Sequence, residues 1–210
     1  MLERRIDMDI NWSYLKYLLQ EEHQYFVKSP VDPASSKWKK IFSLLASEIW
    51  QNLDDKLNVD SSWGIGKWAY FPWIRISYPE IGPSPTDGIF IDYLFGWEDH
   101  EVYLTLLQGV DSLPESQQKM ILTETKKLIQ NKIPNGSFEK TRLFYEPNIV
   151  GTPAKKKRAQ SYAAGMIFYK KYSINSFPDD YQLNSDLQEM IDIYKKVIAL
   201  KLPEFNMWPY

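Results

Sequence analysis

The sequence predicts an α+β domain, in which an antiparallel (mixed) central sheet is flanked by helices. Three observations carry that expectation. The first sixty residues hold two stretches with apolar positions three and four apart. Three runs rich in β-branched and aromatic residues follow, separated by glycine, proline and aspartate. Helical periodicity then returns twice. The elements follow one another without a linker, so residues 1–200 read as one domain and 201–210 as a linker or docking tail.

Residues 12–57 read as a helical hairpin. Trp12, Leu15, Leu18, Leu19, Tyr25 and Phe26 mark one face of a first helix, which Ser29-Pro30 and Asp32-Pro33 end. Trp38, Ile41, Leu44, Leu45 and Ile49 mark a second, running to about Leu57. The sheet core falls within 61–109. Trp73–Tyr78, Ile89–Phe95 and Val102–Leu107 read as strands. Residues 82–88 form a loop by composition, and 96–100 a hairpin turn. Residues 114–133 read as a helix with Met120, Ile121, Leu128 and Ile129 inward, stopped by Pro134-Asn135-Gly136. Residues 137–172 form a basic segment, irregular to 160, with a strand expected over 163–172. The last helix is expected within 183–200. Its stripe is Leu187, Ile191, Tyr194 and Ile198, and Ser185 with Gln188 reads as a capping box.

Composition narrows the function. With 44% hydrophobic and 25% charged residues the chain is globular. It has no apolar run long enough to span a bilayer and no signal-peptide pattern. The absence of cysteine removes disulfides, zinc–thiolate sites and cysteine nucleophiles, and it suits the cytoplasm. A net charge of −2 argues against a generic nucleic-acid coat. The 8 Trp, 14 Tyr and 10 Phe supply either large core rings or a surface that stacks on flat ligands.

The usual catalytic patterns are missing. Gly64-Ile65-Gly66-Lys67-Trp68 lacks the spacing and the hydroxyl of a phosphate-binding loop. His23 and His100 stand far apart without a third ligand pattern, and no Ser-His-Asp order emerges. A metal-dependent nuclease needs clustered carboxylates with a lysine near a strand end. Asp179-Asp180 is followed by no acid-x-lysine triplet, and Asp54-Asp55-Lys56 reads as a solvated helix face. No cofactor or metal is therefore expected.

The informative segment is Ser61-Ser-Trp-Gly-Ile-Gly-Lys-Trp-Ala-Tyr-Phe-Pro-Trp-Ile74. Two glycines bracket one side chain and permit backbone conformations that other residues resist. Pro72 sets the start of the next strand. Such a segment can bring its backbone against a phosphate or a base, or it can be a turn before a buried strand.

This stretch resembles the signature of the McrB N-terminal DNA-reading domain, the MrcB family domain of modification-dependent restriction systems. The likeness rests on Ser62, Gly64, Gly66, Trp68-Ala69, Pro72-Trp73-Ile74, Gly88, Phe90, Tyr93-Leu94-Phe95 and Val102-Tyr103-Leu104 through Gln108-Gly109. A second block runs from Ser161-Tyr162 to Tyr172, then through Leu183 to Tyr194, so most of 12–200 is covered. The resemblance implies a domain that flips a methylated cytosine out of duplex DNA into an aromatic pocket. It implies a GTP-driven AAA+ motor and a nuclease as partners, in the same longer chain or in separate subunits. It matches Trp73 to a pocket tryptophan, Leu94 to a pocket aliphatic and Phe90 to an aromatic beside the pocket. Ile65 stands where a pocket tyrosine can stand, so that hydroxyl is absent here. Arg158 falls near another pocket tyrosine position, and Tyr162 can serve instead.

Two readings come from the residues themselves. In a strand, Phe90, Asp92 and Leu94 share a face. If that face lines a pocket, the Asp92 carboxylate borders it and can accept a hydrogen bond from a cytosine amino group; otherwise Asp92 is a solvated strand residue. From Lys140 to Tyr172, eight basic residues face one acid, Glu146. Lys155, Lys156, Lys157 and Arg158, with Lys67, suit contacts to a DNA backbone. The chain is thus read as a non-enzymatic module for modified double-stranded DNA. The alternatives are a protein-interaction module of the same fold and, more remotely, a restriction endonuclease.

Overall fold

The computed structural model describes residues 8–28, 37–64, 69–81, 84, 86–95, 100–111, 113–141 and 152–200, with side chains throughout except at 22–28 and 115. The chain order is α1 (Ser13–Lys28), α2 (Lys37–Gln51), β1 (Asn58–Ser62), β2 (Trp73–Ser77), β3 (Asp87–Phe95), β4 (Glu101–Val110), α3 (Glu115–Lys132), β5 (Glu139–Lys140), α4 (Pro153–Gly165), β6 (Met166–Ser173) and α5 (Asp180–Ala199). The six strands form one antiparallel sheet in the order β1-β2-β3-β4-β6-β5. This is a single α+β domain, as the sequence predicts.

Alternation along the strands divides the sheet into two unlike faces. Ile74, Ile76, Ile89, Ile91, Tyr93, Phe95, Val102, Leu104 and Leu106 are buried in one cluster with side chains of α1, α2 and α5. Trp12, Leu15, Leu18 and Leu19 of the N-terminal segment and Trp38, Phe42, Leu45 and Ile49 of α2 join that core, following the helical spacing. Trp38 stacks on Phe42 at 4.9 Å between ring centroids. The Tyr194 hydroxyl of α5 donates to the Ile89 carbonyl at 2.6 Å, fixing α5 to the centre of the sheet. His100 takes a positive φ of 61° and bonds the Leu19 carbonyl through Nδ1 at 2.6 Å, which gives this histidine a structural role.

The opposite face carries Trp73, Arg75, Phe90, Asp92, Leu94, Tyr103 and Thr105, and α4 packs against it through Ala159 and Ala163. Small residues let α4 lie close. A Cβ on Gly165 would collide with the Gln108 carbonyl oxygen, so the end of α4 rests directly on the β4 backbone.

Several expectations are corrected. Residues 153–165 are a helix, not irregular chain, and the strand after them starts at Met166 rather than Ala163. Thr152 caps α4 by accepting from the Lys155 N–H at 3.2 Å, with Pro153 in the first turn. The second helix ends at Gln51, because the chain turns there into β1, a strand too polar to show alternation. The last helix starts at Asp180, capped by Asp179 through the Gln182 N–H at 2.8 Å, so Ser185 lies inside it. Met120 is 60% exposed, whereas Ile121 and Ile129 are buried. The expected turn at 96–99 and loop positions 82, 83 and 85 lie outside the described residues.

The cap on α4 gives a direct test. Thr152→Ala is expected to lower stability by about 1 kcal/mol, measured by urea unfolding. An unchanged midpoint would show that the hydroxyl does not hold this helix start.

Candidate nucleic-acid interface

The antiparallel register builds the site. Trp73 pairs with Leu94 and Leu94 with Tyr103, which sets these side chains in one row across three strands. Arg75 pairs with Asp92 and Asp92 with Thr105 in the next row. Phe71, just before β2, and Tyr162 of α4 meet above these rows with ring centroids 5.6 Å apart and planes at 75°. Leu94, Phe71, Tyr103, Ala159, Ala163 and Met166 are buried together, with Trp73, Tyr162 and Tyr169 half-buried around them. The cluster is packed rather than hollow. Of the described residues of the predicted pocket, Trp73 and Tyr162 reach the surface, while Phe90, Asp92 and Leu94 are covered.

Asp92 is the unusual member. It is 2% exposed, and its Oδ1 atom has no hydrogen-bond partner among the described residues. Burial raises its carboxyl well above the ordinary range, against the opposing charge of Arg75. Arg75 itself pairs with Asp60 at 2.5 Å and lies over the Phe90 ring at 5.5 Å. The solvated-strand alternative for Asp92 is therefore wrong: the carboxyl belongs to the aromatic face. An unpaired buried acceptor costs about 1–3 kcal/mol, so it is retained against a stability penalty.

Tyr162 and Arg158, one helical turn apart on α4, act together. The Arg158 guanidinium stands 5.2 Å from the Tyr162 ring and 3.1 Å from the Asp111 carboxylate. Burial pushes the Tyr162 hydroxyl up to about 12, the nearby Asp92 charge adds to this, and Arg158 opposes it. Lys155 reaches over the Phe71 ring at 5.7 Å, while Lys156 and Lys157 are exposed. These cations sit in the first turns of a helix whose first turn has no acid. The helix macrodipole at that end adds positive potential.

The glycine segment is only partly described. Gly64 has a φ of 112°, in the region that favours glycine, and the Ala69 N–H closes a loop onto the Trp63 carbonyl at 2.7 Å. Ile65 and Lys67 lie between these points, outside the described residues.

The MrcB-like, N-terminal domain family matches residues 14–199. The chain belongs to this family. No curated protein and no solved structure matches it. As a McrB-like module, the domain carries the motif residues Trp73, Leu94 and Tyr103 in one row of the sheet. Sequence reasoning missed Phe71 and the depth of Asp92. The Tyr70-Phe71-Pro72 run was the available signal for the first; a lone aspartate amid Ile, Tyr and Leu in β3 was the signal for the second. Among the described residues of this MrcB-like domain, no helix is long and apolar enough to cross a membrane.

Proposed function

We propose that this MrcB-like domain is the specificity module of a McrBC-like restriction system. It reads a modified base in duplex DNA, a methylated cytosine, by taking the base out of the stack. The observation that carries this reading is the buried, unpartnered Oδ1 of Asp92 on the same sheet face as Trp73 and Leu94. A flipped cytosine offers an amino N–H to that oxygen. Burial favours the neutral carboxyl, whose proton the ring N3 can accept. Thymine presents a carbonyl where cytosine has its amino group, so it pairs with the neutral carboxyl only when the acid proton sits on Oδ1 instead of on the oxygen that faces N3.

The base enters by parting the Phe71–Tyr162 contact and stacks against Trp73, with Leu94 and Phe90 beneath. Ring stacking of about 1–3 kcal/mol offsets unstacking from the duplex, which costs a few kcal/mol. Lys155, Lys156, Lys157 and Arg158 at the start of α4 hold phosphates, assisted by the helix N-terminus; Lys67 serves the same backbone. GTP hydrolysis and strand cleavage fall to an AAA+ motor and a nuclease, joined to this domain in one chain or assembled with it.

The flip itself is tested with 2-aminopurine placed beside a 5-methylcytosine. Its fluorescence is expected to rise when the domain binds and to stay low with Trp73→Ala at saturating protein. Tight binding by the unaltered domain without any rise would contradict extrusion of the base.

A further inference from the structure

A second site lies on the other flank of α4. A cavity of about 460 Å³ opens between α3, α4 and the end of β4, within the roughly 300–1,000 Å³ of small-molecule sites. Lys119 and Lys126 of α3 and Lys157 and Arg158 of α4 line it, and Asp111, already paired with Arg158, is the one carboxylate among its described lining residues. Trp73, Asp92 and Leu94 do not.

Two buried groups in the wall have unfinished chemistry. Lys126 is 2% exposed, and its ammonium donates to the Ala163 carbonyl at 3.3 Å, with no carboxylate paired to it among the described residues. A buried cation is costly without a counter-charge. Burial accordingly lowers its proton affinity to about 8. Gln108 is 3% exposed; its amide nitrogen bonds the Thr125 hydroxyl at 3.4 Å, but Oε1 accepts from nothing. One wall therefore asks for an anion and another for an N–H donor. The half-buried Tyr162 ring offers a flat face between them.

We propose that this cavity binds a free nucleoside monophosphate, its phosphate neutralising Lys126 and a base N–H satisfying Gln108 Oε1. Inorganic phosphate alone would answer Lys126 and leave Gln108 unpaired, so it binds more weakly. The same chemistry could instead come from a nucleotide within DNA, and the test separates the two sources.

The domain is titrated by calorimetry with deoxycytidine monophosphate, deoxyguanosine monophosphate and inorganic phosphate, and duplex binding is followed in the same variants. At least one monophosphate is expected to bind more tightly than phosphate. Lys126→Met is expected to weaken it tenfold or more, and Gln108→Met several-fold, with duplex affinity unchanged. In the unaltered protein, amide shifts at Gln108 and Ala163 on titration give a readout that needs no variant. Absence of binding at millimolar concentration, binding insensitive to Lys126→Met, or shifts confined to the exposed lysines would overturn the proposal. Loss of duplex binding in Lys126→Met with monophosphate binding retained would overturn it too, assigning Lys126 to the DNA surface. Because the monophosphate arm uses no duplex, it can fail or succeed independently of the modified-base reading.

Discussion

Trp73→Ala is expected to weaken binding to a duplex carrying 5-methylcytosine by about 5- to 150-fold, the equivalent of the roughly 1–3 kcal/mol that one base–aromatic stack supplies. Trp73 stands at the rim of the aromatic cluster, half-buried and paired in the sheet with Leu94. Its ring is thus partly exposed even before the Phe71–Tyr162 contact opens. Its removal leaves the core against α1, α2 and α5 intact, so the loss should appear in DNA affinity and hardly in the unfolding midpoint. Binding to unmodified duplex, carried by the cations of α4, should change little. Equal losses for both duplexes would place Trp73 in the fold or the backbone contact rather than in base reading.

Asp92 gives the second large effect, with two independent readouts. Asp92→Ala is expected to abolish the preference for cytosine over thymine at the flipped position. The effect is about 1–3 kcal/mol, the discrimination that one good two-point contact to a base edge supplies. Unchanged preference would end its role in recognition. The other readout is stability against pH. The folded carboxyl titrates above the ordinary value of 3.8, so the folded state binds more protons than the unfolded one in the window above that value. Its contribution is fully present below about pH 3.8 and is lost as pH rises through the folded value. Asp92→Asn keeps the shape and stays neutral. The variant should therefore match the parent near pH 4 and exceed it in stability at pH 8. Parallel pH profiles for the two proteins would show that the carboxyl is not buried as described.

Much of the fold was legible because burial imposed periods on the sequence. The runs of β-branched and aromatic residues in 89–95 and 102–107 report two strands at the centre of the sheet, and the spacing of Trp38, Leu45 and Ile49 reports a helix on one face, although Leu44 of the expected stripe is exposed and Phe42 is buried in its place. What escaped has physical causes. Helix α4 buries Ala159, Ala163 and Gly165, residues too small to announce an apolar stripe, so its basic residues read as irregular surface. Its Thr152-Pro153 start was the available clue. Strand β1 is Asn-Val-Asp-Ser-Ser at the sheet edge, with no buried residue to mark a period. Nothing in the local sequence marks Lys126 as buried, because it is α4 that covers it.

The site was legible in part. The motif pointed to Trp73, Leu94 and Phe90, and strand alternation added Asp92 to their face. The meeting of Phe71 with Tyr162, which covers that face, depends on how α4 packs and has no local signature. On the proposed reading, admitting a base requires that contact to open. This sets a part of the binding energy against opening it.

The account's central claim is tested most directly by fluorescence anisotropy on matched duplexes, one with a single 5-methylcytosine and one unmodified, each at two salt concentrations. The account predicts tighter binding to the modified duplex at both. It also predicts that affinity for each falls with salt, as expected for phosphate contacts from α4. Equal affinity for the two duplexes, or no binding to either, would contradict it.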